Sequence, residues 1–155
     1  MSRENVEIVR SLVPGPDVDL AEVFRDDGAW ADATSLEAVF CPEVEFIRTE
    51  FEKTTTYKGP SGLRAAWLDW LAPWASYRAE MEEFVDCGER VLQLSRAYGR
   101  LKGSDLEVSR EIDAVWTIRD GRVARFEVFL NRAKALKAAR LDAKSAFENL
   151  DEADT

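Results

Sequence analysis

No histidine occurs in the 155 residues. That absence removes Ser–His–Asp and Cys–His catalysis and most zinc sites, so any proton transfer falls to carboxylates, tyrosine, lysine or cysteine. Two carboxylates stand where such chemistry is conceivable. Asp113 lies in a run of otherwise apolar residues, and the turn Asp120-Gly121 closes a two-residue hairpin beside it. Such a turn pairs residues whose numbers sum to 241, which sets Asp113 opposite Val128 and beside Val115, Phe126 and Leu130. With no cation on that face, desolvation is expected to favour the neutral acid. Glu50 shares a strand face with Phe46 and Arg48. Arg48 reads either as the ion-pair partner of a carboxylate or as a clamp on a ligand, and an Arg-paired glutamate is the poorer base. Trp67 and Trp70 form an apolar wall, a core by composition and equally the lining of a cavity. Tyr57 either packs under its loop or donates a hydrogen bond at a pocket mouth.

The elements that must position these residues follow from the apolar period. Ser2 can cap a first helix carrying Val6, Val9 and Val13, which Pro14-Gly15-Pro16 ends. A short second helix follows Asp17 or Asp19, and a third is expected from Trp30 to Phe40 with Trp30, Ala33, Leu36 and Phe40 inward. From Glu43 the period changes to two, a strand through Phe51, and Lys53–Gly59 is extended or looped. Pro60 opens a helix with Leu63, Trp67, Trp70 and Leu71 on one stripe, closed by Pro73. Strands at 77–85, 91–98, 108–118 and 123–130 make a meander, and Asn131 caps a last helix burying Leu136, Ala139, Ala143 and Phe147. Helices, a strand, a helix and a meander predict an α+β layer fold, one domain over 1–150 with a frayed acidic tail at 151–155. The sheet face bearing Ala114, Trp116 and Ile118 is expected to be covered by a second copy of the chain, as a homodimer.

Composition narrows the partners. A net charge of −9 argues against a nucleic-acid surface or an anionic membrane, and the basic residues Arg132, Lys134, Lys137, Arg140 and Lys144 recur at helical spacing as a solvated face. No apolar run reaches membrane-spanning length, the start MSRENVEIVR has no signal-like stretch, and Cys41 and Cys87 imply no disulfide framework. These features predict a cytoplasmic protein. No nucleotide-binding glycine motif and no metal-ligand spacing is present, so neither cofactor nor metal is expected.

The segments Ser2–Arg10, Tyr57-x-Gly59-x-x-Gly62, Gly88-Glu89-Arg90-Val91, Val115–Gly121 and Asn131–Leu136 resemble the SnoaL-like family of the nuclear transport factor 2-like superfamily. The resemblance implies a cone-shaped barrel: a highly curved, mainly antiparallel sheet wrapped on N-terminal helices, with the C-terminal helix as an addition. It reaches the ketosteroid isomerases in particular. By that likeness Asp113 matches a protonated aspartic acid that donates to an oxyanion, Trp67 a pocket tyrosine, and Glu50 (or Phe46, aligned from the start of the strand) the catalytic base. The oxyanion tyrosine of the first helix has no counterpart. Limonene epoxide hydrolases are matched less well, with Leu92 and Val128 standing where two of their three polar groups belong.

Together these features predict a pocket for an apolar carbonyl compound, lined by Phe46, Arg48, Tyr57, Trp67, Trp70, Val115, Phe126 and Val128. Three readings stay open: metal-independent proton transfer of the isomerase, cyclase or dehydratase type with Glu50 as base and Asp113 as neutral donor; a carrier without catalysis; or a dimeric protein-interaction module.

Overall fold

A computed structural model of the chain describes residues 2–13, 15–25, 38–50 and 53–140. Helix α1 (Ser2–Leu12) buries Val6 and Val9, three apart on one side. Glu4 in its first turn and Arg10 in its last both complement the helix dipole. Helix α2 (Leu20–Arg25) starts from Asp19, whose Oδ1 accepts the Ala21 amide at 3.0 Å. The same oxygen accepts the Tyr77 amide at 3.0 Å, so the cap also ties α2 to the sheet. Strands β1 (Phe40–Glu50) and β2 (Lys53–Lys58) precede α3 (Gly59–Leu71), whose first turn holds Pro60 where no amide hydrogen is needed. Then come β3 (Trp74–Cys87), β4 (Arg90–Leu101), β5 (Glu107–Arg119), β6 (Arg122–Phe129) and α4 (Arg132–Arg140). Asn131 caps α4 as expected, its Oδ1 taking the Lys134 amide at 3.1 Å.

One six-stranded sheet runs in the order β2-β1-β6-β5-β4-β3, antiparallel except where β1 meets β6, and it curls without closing. Helices α1 to α3 pack on its concave side against Val44, Phe46, Ala97, Trp116 and Phe126. Helix α4 covers the convex side, where Ala135 and Ala139 meet Leu92, Val115 and Phe129. With a layer on each face, β5 is buried continuously from Ile112 to Ile118. This is the α+β cone that the sequence predicts, Trp67 and Trp70 included on the concave side.

The hairpin differs from the expectation in a way that moves every candidate on it. Asp120 and Gly121 both take positive φ, 52° and 77°, as a two-residue primed turn requires. Arg119 pairs with Arg122 and Ile118 with Val123, as numbers summing to 241 demand. One step further Thr117 pairs with Arg125, leaving Ala124 as an extra residue, and from there Trp116 faces Phe126 and Asp113 faces Phe129. A bulge of one residue reverses the side of everything beyond it. It resolves a conflict in β6, where Val123, Phe126 and Val128 all turn inward although the first two lie three apart. Asp113 and Val115 therefore lie on the convex face, and Ala114, Trp116 and Ile118 on the concave one. The face assigned to a second copy is thus covered by the chain's own helices.

Two further boundaries shift. Phe40 opens β1 instead of ending a helix, and Trp30, Ala33 and Leu36 fall outside the described residues, as do Ala143 and Phe147. Trp74 begins β3 directly after the Pro73 that closes α3, and its ring lies over Gly99, where a Cβ would meet it at 2.5 Å.

Candidate functional site

Between the concave face and the helices lies a cavity of about 250 Å³. Its floor is Phe46 on β1, Phe126 and Val128 on β6, and Ala114 and Trp116 on β5. Phe126 is the hub, its ring 4.2 Å from that of Trp116 and 5.0 Å from that of Phe46. Trp67 and Trp70 roof the cavity from α3, with Trp67 stacked on Phe24 of α2 at 4.8 Å. Leu12 and Val13 close it from the end of α1.

Polar atoms enter this lining mainly through β4. Its inward phase reads Val91, Gln93, Ser95, Ala97, and Gln93 and Ser95 stay buried among apolar neighbours. They are satisfied as a chain. The Trp116 indole donates to Gln93 Oε1 at 2.9 Å, Gln93 Nε2 donates to Ser95 Oγ at 3.3 Å, and Ser95 Oγ donates to the Ile112 carbonyl. On β3, Tyr77, which pairs with Gly99, adds to the lining a phenol that burial pushes up to about 12, against the weaker pull of a Trp70 hydrogen bond and of Arg110. It stays protonated at neutral pH and can donate. No described residue lining the cavity carries a carboxylate.

The expected site residues divide accordingly. Phe46, Trp67, Trp70, Phe126 and Val128 line the cavity. Arg48 stands outside it, its guanidinium 5.5 Å from the Trp70 ring centre, on a second hollow of about 310 Å³. Tyr57 is turned away and donates to Asp69 Oδ2 at 2.7 Å, a bond that raises its phenol further than its partial burial does. Glu50 ends β1 opposite Lys53, and its side chain lies outside the described residues. Val115 is packed beneath α4.

Asp113 is the main correction. It is 1% exposed, as expected, but it lies on the far side of the sheet from the cavity. Arg132, at the start of α4, meets it with Nε on Oδ2 at 3.0 Å and Nη2 on Oδ1 at 3.1 Å, and the Ser95 amide adds a bond at 3.3 Å. The expected neutral donor had assumed that no cation was near. The parity that hid the cavity also hid Arg132, because the convex face is where α4 returns. In turn, the hydrogen bonds to Asp113 raise Arg132 above the ordinary guanidinium range.

Gln93, Ser95 and Tyr77 were not singled out from the sequence. A signal was there: two polar residues on the inward phase of a strand whose outward phase, Leu92 and Leu94, is apolar. Among the described residues no group of three His, Cys, Asp or Glu side chains gathers to hold a metal ion, and no helix is long and apolar enough to cross a membrane.

Comparison with known proteins places this geometry. No curated protein matches the sequence. Among solved structures, a SnoaL-like polyketide cyclase, so named putatively, from a Jannaschia species superposes with TM-score 0.64 at 18% identity, over 88% of this chain and 92% of that one. TerC, co-crystallised with polyporic acid, superposes with TM-score 0.60 at 18% identity, over 88% and 98%. A nuclear transport factor 2-like protein from Burkholderia xenovorans gives TM-score 0.55 at 25% identity, over 88% and 96%. The family model described as the SnoaL-like domain matches residues 18–126, well over half of the chain, and the protein belongs to that family.

Proposed function

We propose that this protein binds a small, largely apolar molecule carrying a carbonyl or similar oxygen, with the cavity under α3 as its site. The observation that supports this most is the lining itself: three tryptophans and four phenylalanines around the polar side chains of Gln93, Ser95 and Tyr77. Buried apolar walls with a few convergent polar groups are the usual make-up of a ligand pocket. Gln93 spends its carbonyl on Trp116 and one amide hydrogen on Ser95, so its second N–H is the donor left for a ligand oxygen. TerC, of the same fold, was crystallised with a small molecule, which agrees with this reading.

Binding without catalysis is the first form of the proposal, because no described lining residue is a carboxylate and Asp113 is held by Arg132 behind the sheet. Proton transfer is the second form. It has a candidate donor in the neutral Tyr77 phenol, and Glu50 would have to be the base. One neutral probe, 2-acetonaphthone, separates the forms. Binding is read by quenching of the cavity tryptophans, and Ala114→Phe, which fills the floor, should abolish it. Catalysis is read by NMR as deuterium entering the methyl group beside the carbonyl, and Glu50→Gln should stop it. Unchanged binding in the filled variant would refute the site. Binding with no accelerated exchange would leave a carrier.

A cytoplasmic location and self-association as a homodimer, with no face assigned, belong to the same proposal. Sedimentation of a clean monomer at micromolar concentration would refute the dimer.

A further inference from the structure

The second hollow adjoins the cavity, and the two share Trp70, Tyr77, Ala97 and Ile112 as lining. Their chemistry differs sharply. Along β5 the inward phase runs Ala114, Ile112, Arg110, and along β1 it runs Phe46, Arg48. Both strands thus pass from an apolar floor to an arginine, and the two arginines line the same hollow. Trp70 lies between the chambers, one wall of the cavity and the surface under the Arg48 guanidinium. Arg110 forms no ion pair and no hydrogen bond with the described residues, and it lies close enough to act on the Tyr77 phenol. One carboxylate lines the hollow among the described residues, Asp69, and it already accepts from Tyr57.

In a chain of net charge −9, two cations gathered at the mouth of an apolar cavity oppose the overall field. Arg48 is already seated on Trp70, whereas Arg110 braces no described residue, so structural need among the described residues does not explain Arg110. Guanidinium groups suit a planar oxyanion, which they bind with paired N–H donors. The two volumes, about 250 Å³ and about 310 Å³, together fall within the usual span of about 300–1,000 Å³ for one small-molecule site. We infer that the ligand is an amphipathic acid, its apolar body in the cavity and its carboxylate or equivalent oxyanion between Arg48 and Arg110. This rests on the cavity being a ligand site and adds the charge of the ligand and the direction in which it lies.

Two probes of one shape test it, 1-naphthylacetic acid and its methyl ester, titrated calorimetrically at pH 7 into the full chain. The wild type should bind the acid about tenfold or more tightly than the ester, the effect of one or two hydrogen bonds to a charged group. In Arg110→Ala and in Arg48→Gln the acid-to-ester ratio should fall towards one. In the wild type, raising NaCl from 50 to 500 mM should reduce acid affinity far more than ester affinity, a readout that needs no variant. Ester binding with the acid equal or weaker would overturn the inference and leave the cavity standing as a neutral-ligand site. An acid preference surviving in the Arg48→Gln, Arg110→Ala double variant would overturn it too, by placing the anion elsewhere. If neither probe binds, the cavity reading falls and this one with it.

Discussion

Replacing Arg132 by methionine removes the only cation that contacts Asp113 among the described residues. Asp113 is 1% exposed and would keep a single bond, from the Ser95 amide at 3.3 Å. Breaking a fully buried ion pair costs about 3–5 kcal/mol, but the Arg132 side chain is 31% exposed, so water can follow into part of the gap. Its contacts with Glu82 at 3.2 Å and Glu111 at 3.6 Å involve exposed carboxylates and add little. The expected loss is therefore about 2–3 kcal/mol, read as a lower urea midpoint at unchanged slope. Because the raised Arg132 titrates above its unfolded value, its contribution is complete below that value and constant over the working range of pH. Arg132→Lys should recover part of the loss, since an ammonium cannot meet both carboxylate oxygens in the same plane. Asp113→Leu with Arg132→Met should be less damaging than Arg132→Met alone, because no buried charge is left behind. A loss below about 0.5 kcal/mol in Arg132→Met would refute the reasoning, showing Asp113 to be hydrated or otherwise compensated.

Asp113→Leu should leave the affinity for 2-acetonaphthone unchanged, because the sheet separates Asp113 from the cavity; lost binding in a variant that still folds would return Asp113 to the site. Tyr77, raised from 10.0 to about 12, keeps its proton when the unfolded chain has lost its own, so stability should fall between pH 10 and pH 12 by about 2–3 kcal/mol. In Tyr77→Phe that slope should flatten, as equilibrium unfolding across this range will test. Gln93→Leu leaves the buried Trp116 indole without its acceptor and should cost about 1–3 kcal/mol in urea unfolding, together with any preference for a carbonyl ligand. Cys87 is fully buried, and burial pushes its thiol up to about 11, so iodoacetamide should label the half-exposed Cys41 in the native protein and reach Cys87 only after unfolding.

Much of this molecule was legible in its residue order. The meander, the Pro60 helix, the Asn131 cap and the primed turn at Asp120-Gly121 each depend on local chemistry: period, cap and positive φ act within a few residues. Five of the ten expected site residues line the cavity for the same reason, since bulky apolar residues at helical or strand spacing turn to the core wherever it is. What the order of residues left open was the side on which each polar group lies. That depends on a single extra residue, Ala124, and a bulge is chosen by the packing of a whole sheet against its helices, not by the turn it follows. Val123 and Phe126 both had to reach the concave core, and Asp113 went to the convex face as a consequence. Its partner Arg132 lies 19 residues away and arrives only when α4 folds back over β5. The arginine-lined mouth is of the same kind: Arg48 and Arg110 belong to strands that are not neighbours, and only the curl of the sheet brings them to one hollow.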